Sequence, residues 1–164
     1  MIKSKIDISE IADRLRFHEG CVLFPYICPA GKMTIGIGHN IDDNPFTAEE
    51  LRVIGEDWKH GITKQSAYYL CNNDIKRCIE ELKKKLPMYE NLDCERQYAL
   101  IDLDFNMGWY RLSKFKKMLE ALGCGNYKRA AEELLNSKYA SQVGKRAKRI
   151  AILIETGRWE QWIG

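Results

Sequence analysis

Apolar residues at Ile8, Ile11, Ala12 and Leu15 recur at helical spacing behind Asp7 and Glu10, a pair with the form of a capping box. Gly20 is the natural stop of this first helix and leaves Glu19 at its C-terminal end. The period then changes. Cys21 to Tyr26 and Thr34 to Ile37 read as strands, with turn chemistry in Pro29-Ala30-Gly31-Lys32 between them. Asn40 to Pro45 reads as a loop, and a third short strand is expected before Gly61. Thr63 caps a long amphipathic helix with Ala67, Leu70, Cys71, Ile75, Cys78, Ile79 and Leu82 on one face, ending at Pro87. About 22 residues at about 1.5 Å each span roughly 33 Å, long enough to link two lobes. Helices starting near Asp93, Ser113, Asn126 and Val143 follow, punctuated by Gly108, Gly123-Cys124-Gly125 and Gly157. The pattern predicts an α+β protein: a small N-terminal β-sheet lobe, a connecting helix and a mostly helical C-terminal lobe.

Composition narrows the class only a little. With 164 residues, 45% hydrophobic and 30% charged, the chain can bury a sizeable core and has ordinary globular composition. The formal charge of +3 is uneven: residues 1–60 carry 7 Lys/Arg against 10 Asp/Glu, and residues 128–164 carry 8 against 4. A basic C-terminal face suits an anionic polymer such as a bacterial cell wall or a nucleic acid, and equally a solvated helix. Six cysteines include no CxxC pair, which argues against a zinc knuckle or a thioredoxin-type site. The polar start Met1-Ile2-Lys3-Ser4-Lys5-Ile6-Asp7 has no signal-peptide character, so synthesis in a reducing cytoplasm with free thiols is expected.

The candidate chemistry lies in one short stretch. Glu19, Cys28 and Thr34 fall within sixteen residues, on a helix end, a turn and a strand start. Hydrolysis of a glycosidic bond needs a proton donor on one face and an activated water on the other. The negative end of a helix favours the protonated form of an acid over its anion, which suits a donor. Each residue has a plainer reading: Glu19 as a surface side chain, Cys28 as a small hydrophobe, Thr34 as a strand former, His39 as structural. Gly36-Ile37-Gly38 lacks the third glycine and following helix of a dinucleotide loop. Trp109, Trp159 and Trp162 read as core. Two further readings stay open: a wall-binding or particle-structural protein without turnover, and a cysteine amidase or peptidase using Cys28 with His39.

The spacing Glu-x8-Cys-x5-Thr, continued by Thr34-Ile35-Gly36-Ile37-Gly38-His39, resembles the active-site signature of phage lysozymes of the T4 type. Further segments match in order: Leu15 to Gly20, Gly61-Ile62-Thr63-Lys64 with Asn72-Asn73-Asp74, Phe105-Asn106-Met107-Gly108, Arg146 to Arg149, and Glu155 to Trp159. The resemblance implies one lysozyme-like domain over residues 1–164. Its N-terminal lobe covers about 13–62 and the connecting helix about 63–86. The C-terminal helical lobe covers about 87–164, with the first helix packing on it. It implies a muramidase cutting the β-1,4 bond between N-acetylmuramic acid and N-acetylglucosamine, a phage endolysin that bursts its host. Glu19 is then the acid, Cys28 and Thr34 position and activate water, with attack on carbon by the Cys28 thiolate itself left open, and Arg146 partners the glutamate. Asn40 and Phe105 contact saccharide, and His39 pairs with Asp74 for stability. No metal or organic cofactor, nucleic-acid partner or membrane insertion is implied. The expected protein is a monomer made in the host cytoplasm, acting in the periplasm once a holin-type protein has opened the membrane. Cys28 stands where the enzyme that names the family has Asp, and Met118 and Glu133 differ from its saccharide contacts, so no binding role passes to them.

Overall fold

The helices start where their capping residues stand. In the computed structural model, which describes residues 6–159, α1 is Ile8–Glu19 and the Asp7 carboxylate accepts the Ser9 and Glu10 N–H groups at 3.0 and 3.5 Å. Gly20 closes it, its N–H on the Arg16 carbonyl at 2.8 Å. Three antiparallel strands follow in the order β1 (Val22–Ile27), β2 (Met33–Gly36), β3 (His39–Asn40). The first begins one residue later than the alternation predicts, and the second a residue earlier. The expected strand before Gly61 is not one: Trp58–His60 is a single 3-10 turn. The third strand falls instead in the expected loop, because Asn40 and His39 pair back with Thr34 and Ile35. A helix not foreseen, α2 (Ala48–Ile54), is opened by a full capping box between Thr47 and Glu50.

The long helix α3 is Lys64–Lys85, with Thr63 Oγ1 accepting the Ser66 N–H at 3.0 Å. The described chain divides within it into two compact units, residues 7–77 and residues 78–159 together with Ile6. The first unit buries Ile35, Ile54, Ile62, Ala67 and Leu70, with Leu23, Phe46 and Trp58 packed around them. Gly36, at φ +70°, lets α3 come close: a Cβ there would stand 3.2 Å from that of Ala67.

The second unit is helical: α4 (Cys94–Met107), α5 (Trp109–Leu112), α6 (Lys116–Gly123), α7 (Tyr127–Leu135), α8 (Lys138–Val143) and α9 (Lys145–Thr156). The helix expected from Ser113 is two pieces flanking it, and the one expected from Val143 starts at Lys145 with α8 ahead of it. Residues Tyr98 to Asp104 of α4 are all buried, which makes this helix the axis of the unit. Arg96 ties its start to the end of α9, its guanidinium donating to the Ile154 and Glu155 carbonyls at 2.7 and 3.0 Å and stacking 3.5 Å over the Tyr127 ring. Trp109 and Trp159 are half-buried rather than core, the first under the Lys85 ammonium and the second edge-on to Tyr98. Trp162 lies outside the described residues.

Candidate active site

Glu19 is held by the last turn of α1 against the bend between β2 and β3. Gly38 sits in that bend at φ +64°, and a Cβ there would stand 3.0 Å from Glu19 Oε2 and 3.1 Å from its Cγ and Cδ. The glutamate therefore lies directly on the glycine backbone, which gives the Gly-x-Gly pair two separate duties. Gly36 admits a helix, and Gly38 admits the acid.

The turn after β1 builds the second part of the site. The Cys28 N–H donates to the Lys32 carbonyl at 2.9 Å, and the Gly31 N–H returns to the Cys28 carbonyl at 2.8 Å. Thr34, only 4% exposed, donates its hydroxyl to the same Lys32 carbonyl at 3.0 Å. Burial presses the half-exposed Cys28 thiol up, but hydrogen bonds from the Lys32 N–H, the Thr34 hydroxyl and the Ala30 N–H outweigh it and draw the thiol below its ordinary pKa. Thr34 has one proton and two acceptors in reach. With the thiol neutral it serves the Lys32 carbonyl, and with the sulfur ionised it can turn to the sulfur.

Asn40 stands opposite Thr34 across the β2–β3 ladder. Both ends of its amide are engaged by Asp43: Nδ2 donates to the carboxylate at 2.8 Å, and Oδ1 accepts the Asp43 N–H at 2.9 Å. In this structure the residue shapes the loop beside the site.

His39 is 1% exposed, with Nδ1 2.8 Å from Asp74 and Nε2 3.0 Å from the Asn44 carbonyl. Arg77 contacts the far side of Asp74, and the Phe46 ring stacks on the imidazole at 5.2 Å. Burial first, then Arg77, press the ring's pKa down toward about 4. The hydrogen bonds argue the other way. Both ring nitrogens face oxygen acceptors, which offsets part of that shift. Both nitrogens are spent, and His39 cannot serve as the base of a Cys28 nucleophile.

The structure thus brings Glu19, Cys28, Thr34, His39, Asn40 and Asp74 into the first unit, and places Phe105 and Arg146 in the second. Phe105 is half-buried near the end of α4. Arg146, 8% exposed on α9, donates through Nε to Asp102 at 2.9 Å, and the other oxygen of that carboxylate accepts the Tyr98 hydroxyl at 3.0 Å. Asp102, fully buried, was not foreseen; its partner lies 44 residues away, beyond any local pattern. The second unit also has an open pocket of about 420 Å³ whose lining includes Met118 and Glu133, where the chain departs from the family's contacts. Among the described residues no cluster of His, Cys, Asp and Glu could hold a metal ion, and no helix is long and apolar enough to cross a membrane.

An acid laid against a glycine bend, with a thiol and a hydroxyl sharing one turn of the adjoining hairpin, is the equipment of a glycoside hydrolase working with one proton donor and one held water. Comparison with known proteins agrees. The chain belongs to the phage lysozyme family, whose model matches residues 16–155, and it is a glycoside hydrolase of the lysozyme type with that α+β fold. It is 30% identical to probable T4-type lysozyme 2 of Dictyostelium discoideum, covering 94% of this chain and 99% of that protein. Probable T4-type lysozyme 1 of the same organism is 31% identical over 92% of this chain and 96% of its own length. The pre-baseplate central spike protein Gp5 of Enterobacteria phage T4 is 30% identical over 93% of this chain, which spans only 28% of that protein. Membership in this family implies a muramidase acting on peptidoglycan.

Proposed function

We propose that the chain is an endolysin, cutting the β-1,4 bond between N-acetylmuramic acid and N-acetylglucosamine so that the host cell lyses. The observation that carries this reading is the joint placement of Glu19 on Gly38 and of Cys28 and Thr34 around one Lys32 carbonyl. Glu19 gives its proton to the leaving oxygen as the glycosidic bond breaks. A water held by the Thr34 hydroxyl attacks the anomeric carbon from the opposite face and passes a proton to the Cys28 sulfur. One C–O bond forms as another breaks, and the sugar emerges inverted. The lowered thiol pKa supports this use of sulfur, because a thiol that ionises more readily is more often in the form that accepts the proton. Arg146 as the partner of Glu19, and Phe105 and Asn40 as saccharide contacts, rest on the family resemblance. So do action as a monomer, synthesis in the host cytoplasm and passage to the periplasm through a holin-type opening.

The T4 spike relative supports a second reading, a lysozyme carried on a particle. Release of reducing ends from purified peptidoglycan, with loss of that release in Glu19→Gln, tests the muramidase chemistry common to both. Lysis of Gram-negative cells from within, dependent on a co-expressed holin, separates them: a free endolysin lyses and a particle-bound enzyme does not. Release of new amines in place of reducing ends would make the protein an amidase or peptidase.

A further inference from the structure

Tyr26 has no part in the chemistry above, yet it stands in the middle of the site. It pairs directly with Thr34 across the β1–β2 ladder, and Thr34 pairs with Asn40 across β2–β3, so the three side chains form one row on one face of the sheet. This placement is not the default one. Val22 pairs with Gly36 and Tyr26 with Thr34, so β1 spends four residues where β2 spends two, and the strand is bulged between them. Pro25, which lacks an N–H, falls in that stretch and interrupts the ladder where it would otherwise continue. The bulge re-aims the following residue. Cys28 follows the end of β1, two positions beyond Tyr26.

The phenol is half-buried, and among the described residues its hydroxyl makes no hydrogen bond. Burial first, then the nearby charges of Glu19 and Cys28, push its pKa up, so it keeps its proton and remains a donor. Glu19 and Cys28 are the two groups assigned to opposite faces of the scissile bond, and one side chain senses both.

Resting on the muramidase reading, we propose that Tyr26 is a substrate-positioning residue. Its hydroxyl donates to an oxygen of the N-acetylhexosamine unit whose anomeric carbon is attacked, and its ring walls the sugar between Glu19 and the Cys28–Thr34 turn. A half-buried row ending in a phenol donor is suited to a neutral, oxygen-rich ring, and a hydrogen bond made there orients the carbon toward the held water.

The test separates binding from turnover. Soluble peptidoglycan hexasaccharide is titrated by calorimetry into the Glu19→Gln protein with and without Tyr26→Phe, and kcat/KM on the same oligomer is compared between wild type and Tyr26→Phe. A lost donor should weaken Kd several-fold and lower kcat/KM about tenfold, with an unchanged melting temperature. Equal Kd for the two Glu19→Gln proteins would overturn the proposal, as would weaker binding accompanied by a lowered melting temperature, since that is a packing role. A wild type that binds the oligomer but releases no reducing ends would instead overturn the muramidase reading and leave the Tyr26 contact to the binding result.

Discussion

Replacing Asp104 by asparagine removes a charge that the fold resists. Asp104 lies on the buried stretch of α4, 4% exposed. Burial comes first in shifting it, followed by the charge of Glu81, while Cys78 and the Lys85 ammonium pull the other way. The net effect raises its pKa from 3.8 to about 7. A carboxyl raised on folding holds its proton longer in the native state than in the unfolded chain. Stability therefore falls as pH rises through roughly 4 to 7, and the cost is complete only above about 7. At about 1.4 kcal/mol per pH unit, three units set a ceiling of roughly 4 kcal/mol. Asp104 interacts with the charges around it, so the measured gain should fall below this ceiling. Asparagine keeps the shape and hydrogen-bonding capacity without the charge. Asp104→Asn should raise the melting temperature by several degrees at pH 8, and the difference should vanish near pH 4. Thermal unfolding followed by circular dichroism across that range reads both limbs. Parallel curves for variant and wild type would refute the argument, because the pH dependence would then come from elsewhere.

Three other substitutions probe separate parts of the structure. Arg146→Ala should cost roughly 3–5 kcal/mol in urea denaturation, since it strands the fully buried Asp102 carboxylate; an unchanged midpoint would show that Asp102 does not need the guanidinium. Gly38→Ala puts a Cβ 3.0 Å from Glu19 Oε2 on a backbone at φ +64°, so reducing-end release should drop at least tenfold at a stability cost of only about 1–2 kcal/mol. Wild-type turnover in that variant would mean the acid need not rest on the bend. Cys28→Asp should keep substantial activity with the same stereochemistry, because a carboxylate can take a water's proton where the thiol did; loss of activity equal to that of Cys28→Ala would show that the sulfur is required.

What the sequence made legible was what the chain decides locally. Asp93 and Asn126 mark their helices because a cap acts on N–H groups two or three residues away. Thr47 and Glu50 carry the same signal for α2, but a seven-residue helix offers little periodicity to support it. The third strand was misplaced because two residues have no alternation to show; His39 and Asn40 become a strand only through their partners on β2. The Glu-x8-Cys-x5-Thr spacing pointed to the site, but its construction did not show. That Gly38 seats the acid, that the β1 bulge turns Tyr26 onto Thr34, and that Asp102 holds Arg146 are products of tertiary approach. Asp104 reads in sequence as one more acidic residue on a helix, and only burial makes it a titrating group near neutrality.

If Glu19 is the acid while Cys28 and Thr34 hold a water on the other face, the sugar leaves with its anomeric centre inverted. Proton NMR of the first anomer released from a soluble peptidoglycan oligomer, recorded before mutarotation, tests it most directly. The expected product is the inverted α-anomer, with no covalent adduct on the protein by mass spectrometry. A β-anomer, or a glycosyl group trapped on the Cys28 sulfur, would contradict it and make the thiol a nucleophile.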